Sequence, residues 1–207
     1  FAYVASHDLK APLRGIANLT QWLEEDLGDR VTGTSLEHMQ LLKGRVARME
    51  GLIDGILAYS RAGRTSEKPE SVDVGSLLTE SIELLAPGEG IEIVVQADMP
   101  TIETERVPLQ QVFMNLLSNA IKHTKRPGAR VEVSAVRRDG GYEFSVSDNG
   151  TSLAPQYHDR IWQIFQTLAP RDKSEERGIG LSVVQQSVEA RGCRACARAE
   201  VGRGATW

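Results

Sequence analysis

The sequence predicts an α+β chain in two parts, a helical hairpin followed by a domain in which helices and strands alternate. Three observations carry this. Apolar residues recur at three- and four-residue steps from Leu9 to Leu27 and from Met39 to Ile56. A polar stretch with Gly and Pro, RAGRTSEKPES (61–71), then separates this region from the rest. Beyond it, helical periodicity alternates with short β-branched runs and a strong hairpin signal.

The elements follow in order. In the first helix Leu9, Leu13, Ile16, Leu23 and Leu27 form a stripe whose register Thr20 interrupts. After the turn-rich GDRVTGTS, Ser35 reads as the N-cap of a second helix, with Met39, Leu42, Val46, Met49, Ile53 and Ile56 on one face. Two helices alone cannot bury both seams, so two hairpins are expected to pair into a four-helix bundle on dimerisation, the alternative being a seam covered by the downstream domain of the same chain. Residues 74–86 read as a helix and IEIVVQA as a strand; VPLQQVFMNLLSNAIKHT reads as a helix with Pro108 in its first turn. RVEVSAVRRDGGYEFSVSD holds two strands around Asp139-Gly140-Gly141. A long irregular span at about 149–177 has the length of a lid or binding loop. It precedes GIGLSVVQQSVEARG, a helix opened by Gly178 and Gly180 and stopped by Gly192.

Composition narrows the function classes. The 207 residues (22.7 kDa, 41% apolar) suit one or two modest soluble domains. A net charge of −4 and a pI near 5.7 argue against a dedicated nucleic-acid binder, so no nucleic-acid partner is expected. No apolar run approaches the ~20 residues that span a bilayer, and FAYVASHD lacks signal-peptide features. A cytoplasmic location is therefore expected. Cys193 and Cys196 form one C-x-x-C without the further ligands a zinc site needs, which leaves an incidental role or, less readily, a redox one.

The segment YVASHDLKAPLRGI raises the chemical question. At ~100° per residue, His7 points ~160° away from the first helix's apolar seam, toward solvent, on the side of Ala11 and Arg14. A neighbouring carboxylate, Asp8, can hold the imidazole in one tautomer and leave its other nitrogen free as a nucleophile. Pro12 removes a helix hydrogen bond nearby. In NLLSNAIK, Asn115, Asn119 and Lys122 share a helix face at i, i+4, i+7, while Phe113, Leu117 and Ala120 occupy the other. Exposed asparagines lower helix propensity, so their presence asks for a reason. Asp148 ends a strand just before Asn149-Gly150, where its carboxylate can face a pocket. A G-x-G at 178–180 opens a helix whose N-terminal amides suit phosphate.

Taken together, SHDLKAPLRGI, QVFMNLLSNAIKHT, VSDNG, RIWQIFQTL and GIGLSVV resemble, in order and across essentially the entire chain, the motifs of two-component sensor histidine kinases. The resemblance implies a dimerising phosphoacceptor hairpin at 1–62, a linker at 63–71 and a catalytic ATP-binding domain at 72–207, an α/β sandwich of the Bergerat ATPase type. It implies the cofactors ATP and Mg²⁺. His7 would be the phosphorylated nucleophile, with Asp8 orienting it and helping to remove its proton. Asn115 would supply an oxygen to Mg²⁺, Asn119 would bond the phosphates and Lys122 would neutralise their charge. His123 would lie near the nucleotide, Asp148 would accept from the adenine amino group, and Gly150, Gly178 and Gly180 would shape the pocket. Trp162 and Phe165 would anchor a lid to the core. His38 and His158 read as surface residues. Expected partners are a second copy through the hairpin and a response-regulator receiver domain, with a sensor domain upstream of this chain, all within a phosphorelay.

Two departures bear on the pocket: Ser152 and Glu176 stand where the family usually carries glycines, and a Cβ or a carboxylate there would oppose phosphate approach, with Arg177 as a partial offset. Ala11 replaces the residue that orients a dephosphorylating water in many relatives, which implies weak phosphatase activity. One alternative is a degenerate kinase serving as a phosphotransfer or scaffold protein. Another, an ATPase of the gyrase, chaperone or mismatch-repair relatives, would need a catalytic Glu that NLLSNAIK lacks.

Overall fold

Two antiparallel helices, α1 (Ala2–Leu27) and α2 (Thr34–Ala62), open the chain and meet through a 3-10 turn at Gly28–Arg30. The computed structural model describes residues 2–63, 68–124, 126–151, 154–158, 160–166, 178–199 and 204–207. Ser152, Glu176, Arg177 and part of the expected linker lie outside the described residues. Helix α1 runs through Pro12 without ending. The expected Ser35 cap is corrected: α2 starts at Thr34, and Gly33, at φ 57°, offers its carbonyl to the N–H groups of Leu36 and Glu37. A left-handed residue is what glycine supplies cheaply, and the chain reverses there.

Ion pairs Lys10–Asp54 and Lys43–Glu24 cross between the two helices and mark their antiparallel register. Within the chain the seam is narrow. Leu13, Thr20 and Val46 are buried, and the Thr20 hydroxyl is satisfied by donating to the Ile16 carbonyl at 2.7 Å. Thr20 is thus part of the buried seam rather than a break in it. Leu9, Leu23, Leu42, Met49 and Ile56 stay exposed, so an apolar face remains uncovered along both helices.

The second part begins with β1 (Glu70–Asp73), inside the stretch read as a linker, because Glu70–Asp73 pairs antiparallel with β3 (Thr101–Thr104). Asp73 then caps α3 (Val74–Leu85) by accepting from the Ser76 N–H at 2.9 Å. Strand β2 (Ile91–Val95) lies parallel to β4 (Ala129–Arg138), which forms an antiparallel hairpin with β5 (Gly141–Asp148); Gly140, at φ +87°, makes the turn. Helix α4 (Arg106–His123) precedes this hairpin, and α5 (Gly180–Glu189) follows it. Short strands β6 (Arg198–Ala199) and β7 (Ala205–Thr206) complete a sheet ordered β2-β4-β5-β7-β6.

Val131 and Val133 are buried while Glu132 between them is exposed, the alternation of a sheet covered on one face. Leu77 and Leu78 of α3, Phe113 and Leu117 of α4 and Val184 of α5 fill that face together with Val146 of β5. At about 25 cal/mol per Å² of buried apolar surface, this layer is the main source of the domain's stability. It holds the ends of α4, β5 and α5 in fixed relation.

The two parts touch along α2 and α5. Ala62 of α2 packs with Ile179 and Val183. Gly55 makes the approach possible, since a Cβ there would collide with the Ile179 side chain. Arg191 closes the far end: its Nη2 lies 2.5 Å from the Glu105 carboxylate, and its Nη1 donates to Ser187 O (2.7 Å) and Ala62 O (3.4 Å).

Candidate functional site

Asp148 ends β5 opposite Val131 and is only 6% exposed. Burial pushes its carboxyl above the usual range, because an ionised group loses hydration there. The opposing influences are the N–H groups of Gly150 and Ala205, the charge of His123 and the Thr124 hydroxyl, all of which favour the carboxylate. The Gly150 N–H donates to Asp148 Oδ1 at 2.8 Å. Gly150 is required for closeness rather than for an unusual φ: a Cβ would strike the His123 carbonyl and lie 2.9 Å from Thr124 Cα. The Thr151 N–H then donates to the same His123 carbonyl at 3.2 Å, fastening the turn after Asp148 to the end of α4.

Helix α4 presents its polar stripe as the spacing predicts. Phe113, Leu117 and Ala120 are buried, Asn115, Asn119 and His123 are half-buried, and Lys122 is exposed. The Asn115 amide donates to Gln111 O at 2.8 Å, which turns its Oδ1 outward toward α5. A Cβ added to Gly180, the first residue of α5, would sit 3.1 Å from that oxygen. The site therefore offers a side-chain oxygen beside a helix N-terminus. Among the described residues no group of three or more His, Cys, Asp or Glu could hold a metal ion. Asn115 Oδ1 is an oxygen donor of the kind that a hard cation such as Mg²⁺ takes alongside phosphate oxygens and water, so the donor present fits that ion.

Gly178, at φ +61°, lies against the backbone of Gln166, and its carbonyl accepts from the Phe165 N–H at 2.8 Å. Trp162 packs on the core and meets Trp207 edge-on, with ring centroids 6.0 Å apart. Phe165 departs from expectation. It is 40% exposed at φ +66°, so of the two aromatic residues only Trp162 reaches the core. His158 also departs: it is half-buried, with Nε2 enclosed, rather than a surface residue. His38 is exposed as expected, and so are both free cysteines.

His7 lies on the backbone of α1, its side chain outside the described residues; Asp8 is exposed. Lys10, three residues on, pairs with Asp54, next to the Gly55 against which Ile179 packs. This end of the hairpin therefore adjoins the segment carrying Gly178 and Gly180. The structure brings Asn115, midway along α4, beside Gly180 at the start of α5, and brings Gly150 and Asp148 at the end of β5 against His123 and Thr124 at the end of α4; Asn119 lies between these two places on α4. Sequence reasoning missed Thr124, Gly204 and Ala205. Gly204, at φ +86°, backs against the Asp148 carbonyl so closely that any Cβ would collide with it. The signal was present in GRGATW, a G-x-G leading into a strand.

Comparison with known proteins identifies both parts of the chain. Residues 1–65 match the His Kinase A (phospho-acceptor) domain, and residues 104–207 match the histidine kinase-, DNA gyrase B- and HSP90-like ATPase family. Cyanobacterial phytochrome A of Nostoc sp. is 34% identical over all of this chain and 27% of its own length. The methanogenesis regulatory histidine kinase FilI of Methanothrix harundinacea is 31% identical over 99% of this chain and 23% of its own length. The chain thus spans about a quarter of these curated relatives. Full-length ShkA in complex with AMPPNP superposes with a TM-score of 0.71 at 28% identity, covering 99% of this chain and 44% of that one. ThkA in complex with the response regulator protein TrrA shares the fold, with a TM-score of 0.65 at 16% identity over 98% of this chain and 59% of that one. A phosphoacceptor hairpin joined to an ATPase domain of this type makes the chain a member of the sensor histidine kinases, of which it comprises the catalytic core.

Proposed function

We propose that this chain transfers the γ-phosphoryl group of ATP to His7 and passes it on to an aspartate of a response-regulator receiver domain. The observations that support the reading are a buried carboxylate, Asp148, at the end of β5 beside the end of α4, and an amide oxygen on α4, Asn115 Oδ1, turned to the start of α5. One can accept from an adenine amino group while the other faces the phosphate end.

The residues divide the work. Asp148, held by Gly150 and Ala205, reads the base. Asn115 Oδ1 would hold Mg²⁺, which when bound neutralises phosphate charge. Asn119 and Lys122 face the phosphates, and the N–H groups at the start of α5 supply further donors. In the transfer step a neutral His7 nitrogen forms the N–P bond as the bond to the β-bridging oxygen breaks, and ADP departs with that electron pair. The imidazole proton leaves by way of Asp8 to water. Catalysis of this kind rests on position and charge rather than on covalent help from the protein. A second copy supported on the uncovered face of α1 and α2 would complete a four-helix bundle, and the same bundle would receive the regulator.

Calorimetry of the chain with AMPPNP, with and without Mg²⁺, tests the pocket. Binding strengthened by Mg²⁺ in the native chain, and no longer strengthened in Asn115→Ala, is the expected result. Binding indifferent to Mg²⁺ in both would overturn the metal assignment, and no binding at all would favour a phosphotransfer protein that receives its phosphoryl group from another kinase.

A further inference from the structure

Asn149 follows the residue that reads the base, and its side chain is wholly committed. Its Oδ1 accepts from the Arg130 N–H at 2.9 Å, and its Nδ2 donates to the Gly128 carbonyl at 2.9 Å. Its own backbone N–H donates to Arg130 O at 3.1 Å. In an antiparallel ladder, a hydrogen-bonded pair exchanges both N–H···O=C bonds. Arg130 and Asn149 stand one step beyond the Val131–Asp148 pair, and only one of the two backbone bonds is made. The side-chain oxygen takes the place of the Asn149 carbonyl. The backbone is then free to leave the sheet directly after Asp148 while the ladder keeps both its bonds. That departure carries the Gly150 N–H back onto Asp148 Oδ1.

From this substitution of side chain for backbone we infer that Asn149 is a positioning residue for base recognition: it fixes the turn that aims the Asp148 carboxylate and so sets the preference for adenine nucleotides. The inference rests on the nucleotide reading above. The Asn149 side chain bonds to the ladder at Arg130 and Gly128, so its effect on recognition is exerted through Asp148.

Asn149→Leu keeps the size and removes both side-chain bonds; Asn149→Asp keeps an acceptor for the Arg130 N–H and loses the donor to Gly128. Calorimetry on the full chain with Mg²⁺ would compare AMPPNP, its guanine counterpart GMPPNP, and tripolyphosphate, which has no base. Asn149→Leu is expected to weaken AMPPNP about tenfold, the scale of one misaimed hydrogen bond, and to narrow its margin over GMPPNP equally. Tripolyphosphate binding is expected to stay unchanged, and Asn149→Asp to fall between Leu and the native residue. Added to Asp148→Asn, Asn149→Leu is expected to cost nothing further, because residues acting through one group are not additive. Equal weakening of tripolyphosphate, full additivity with Asp148→Asn, or native AMPPNP affinity in both Asn149 variants would each overturn the inference. A native chain that binds tripolyphosphate but not AMPPNP would sink the nucleotide reading and this inference together, whereas native discrimination that survives Asn149→Leu sinks this inference alone.

Discussion

Replacing Arg191 with Met keeps most of the side-chain length and removes the guanidinium that lies 2.5 Å from Glu105 Oε2. Glu105 is 6% exposed and stands at the N-cap of α4, where its carboxylate makes no cap bond and is turned to Arg191 instead. Breaking a buried pair from one side typically costs about 3–5 kcal/mol. The electrostatic part has a ceiling, because the carboxyl can take up a proton: at pH 7, protonating a group of reference pKa about 4.3 costs about 3.7 kcal/mol. Loss of the donors to Ser187 O and Ala62 O adds about 1 kcal/mol that does not vary with pH. The variant's folded carboxyl would have a raised pKa, and a raised acid loses stability as pH rises, so the deficit shrinks by about 1.4 kcal/mol for each pH unit below 7. Urea unfolding followed by tryptophan emission should show a midpoint lowered by about 2 M at pH 7, given a slope of about 2 kcal/mol per M, and much less at pH 5. Arg191→Met combined with Glu105→Leu should recover most of the loss. An equal deficit at both pH values, or one under about 1 kcal/mol at pH 7, would refute the reasoning.

The raised carboxyl of Asp148 gives two opposite trends. Ionising it in the fold is unfavourable, so Asp148→Asn should raise stability at neutral pH, as thermal unfolding would report, while AMPPNP affinity in the native chain should fall as pH drops through that raised pKa. Gly204→Ala should destabilise by several kcal/mol and weaken AMPPNP binding, since both the φ of +86° and the Asp148 carbonyl forbid a Cβ; thermal unfolding and calorimetry measure this. Gly55→Leu should push Ile179 off α2 and enlarge the radius of gyration in solution scattering.

Much of the fold was legible because its cause is local. The i, i+4, i+7 stripe of Asn115, Asn119 and Lys122 over buried Phe113, Leu117 and Ala120 follows from helix geometry alone. The Asp139-Gly140 turn and the helix after Gly178 announce themselves through glycine. What escaped depends on distant partners. Strand β1 exists because residues 70–73 find β3 some thirty positions later, which no window around them reveals. The helix start moved from Ser35 to Gly33 because the tight reversal needed a left-handed residue. Thr20 looked like a defect in the seam, yet a threonine hydroxyl satisfied by its own helix can be buried at small cost. Gly204 and Ala205 complete the Asp148 site from the other end of the chain, so their place is fixed by sheet order β5-β7 rather than by spacing. That Gly150 is demanded by crowding against the His123 carbonyl is likewise visible only once α4 and β5 are packed together.

The central step is the movement of a phosphoryl group from ATP to His7. Incubating the chain with Mg²⁺ and γ-labelled ATP, then locating the label by tandem mass spectrometry at neutral pH, tests it most directly. Acid-labile, base-stable label on the peptide carrying His7, lost in His7→Gln and in Asp148→Asn, is the predicted result. Label on another residue, or label on His7 that survives Asp148→Asn undiminished, would contradict it.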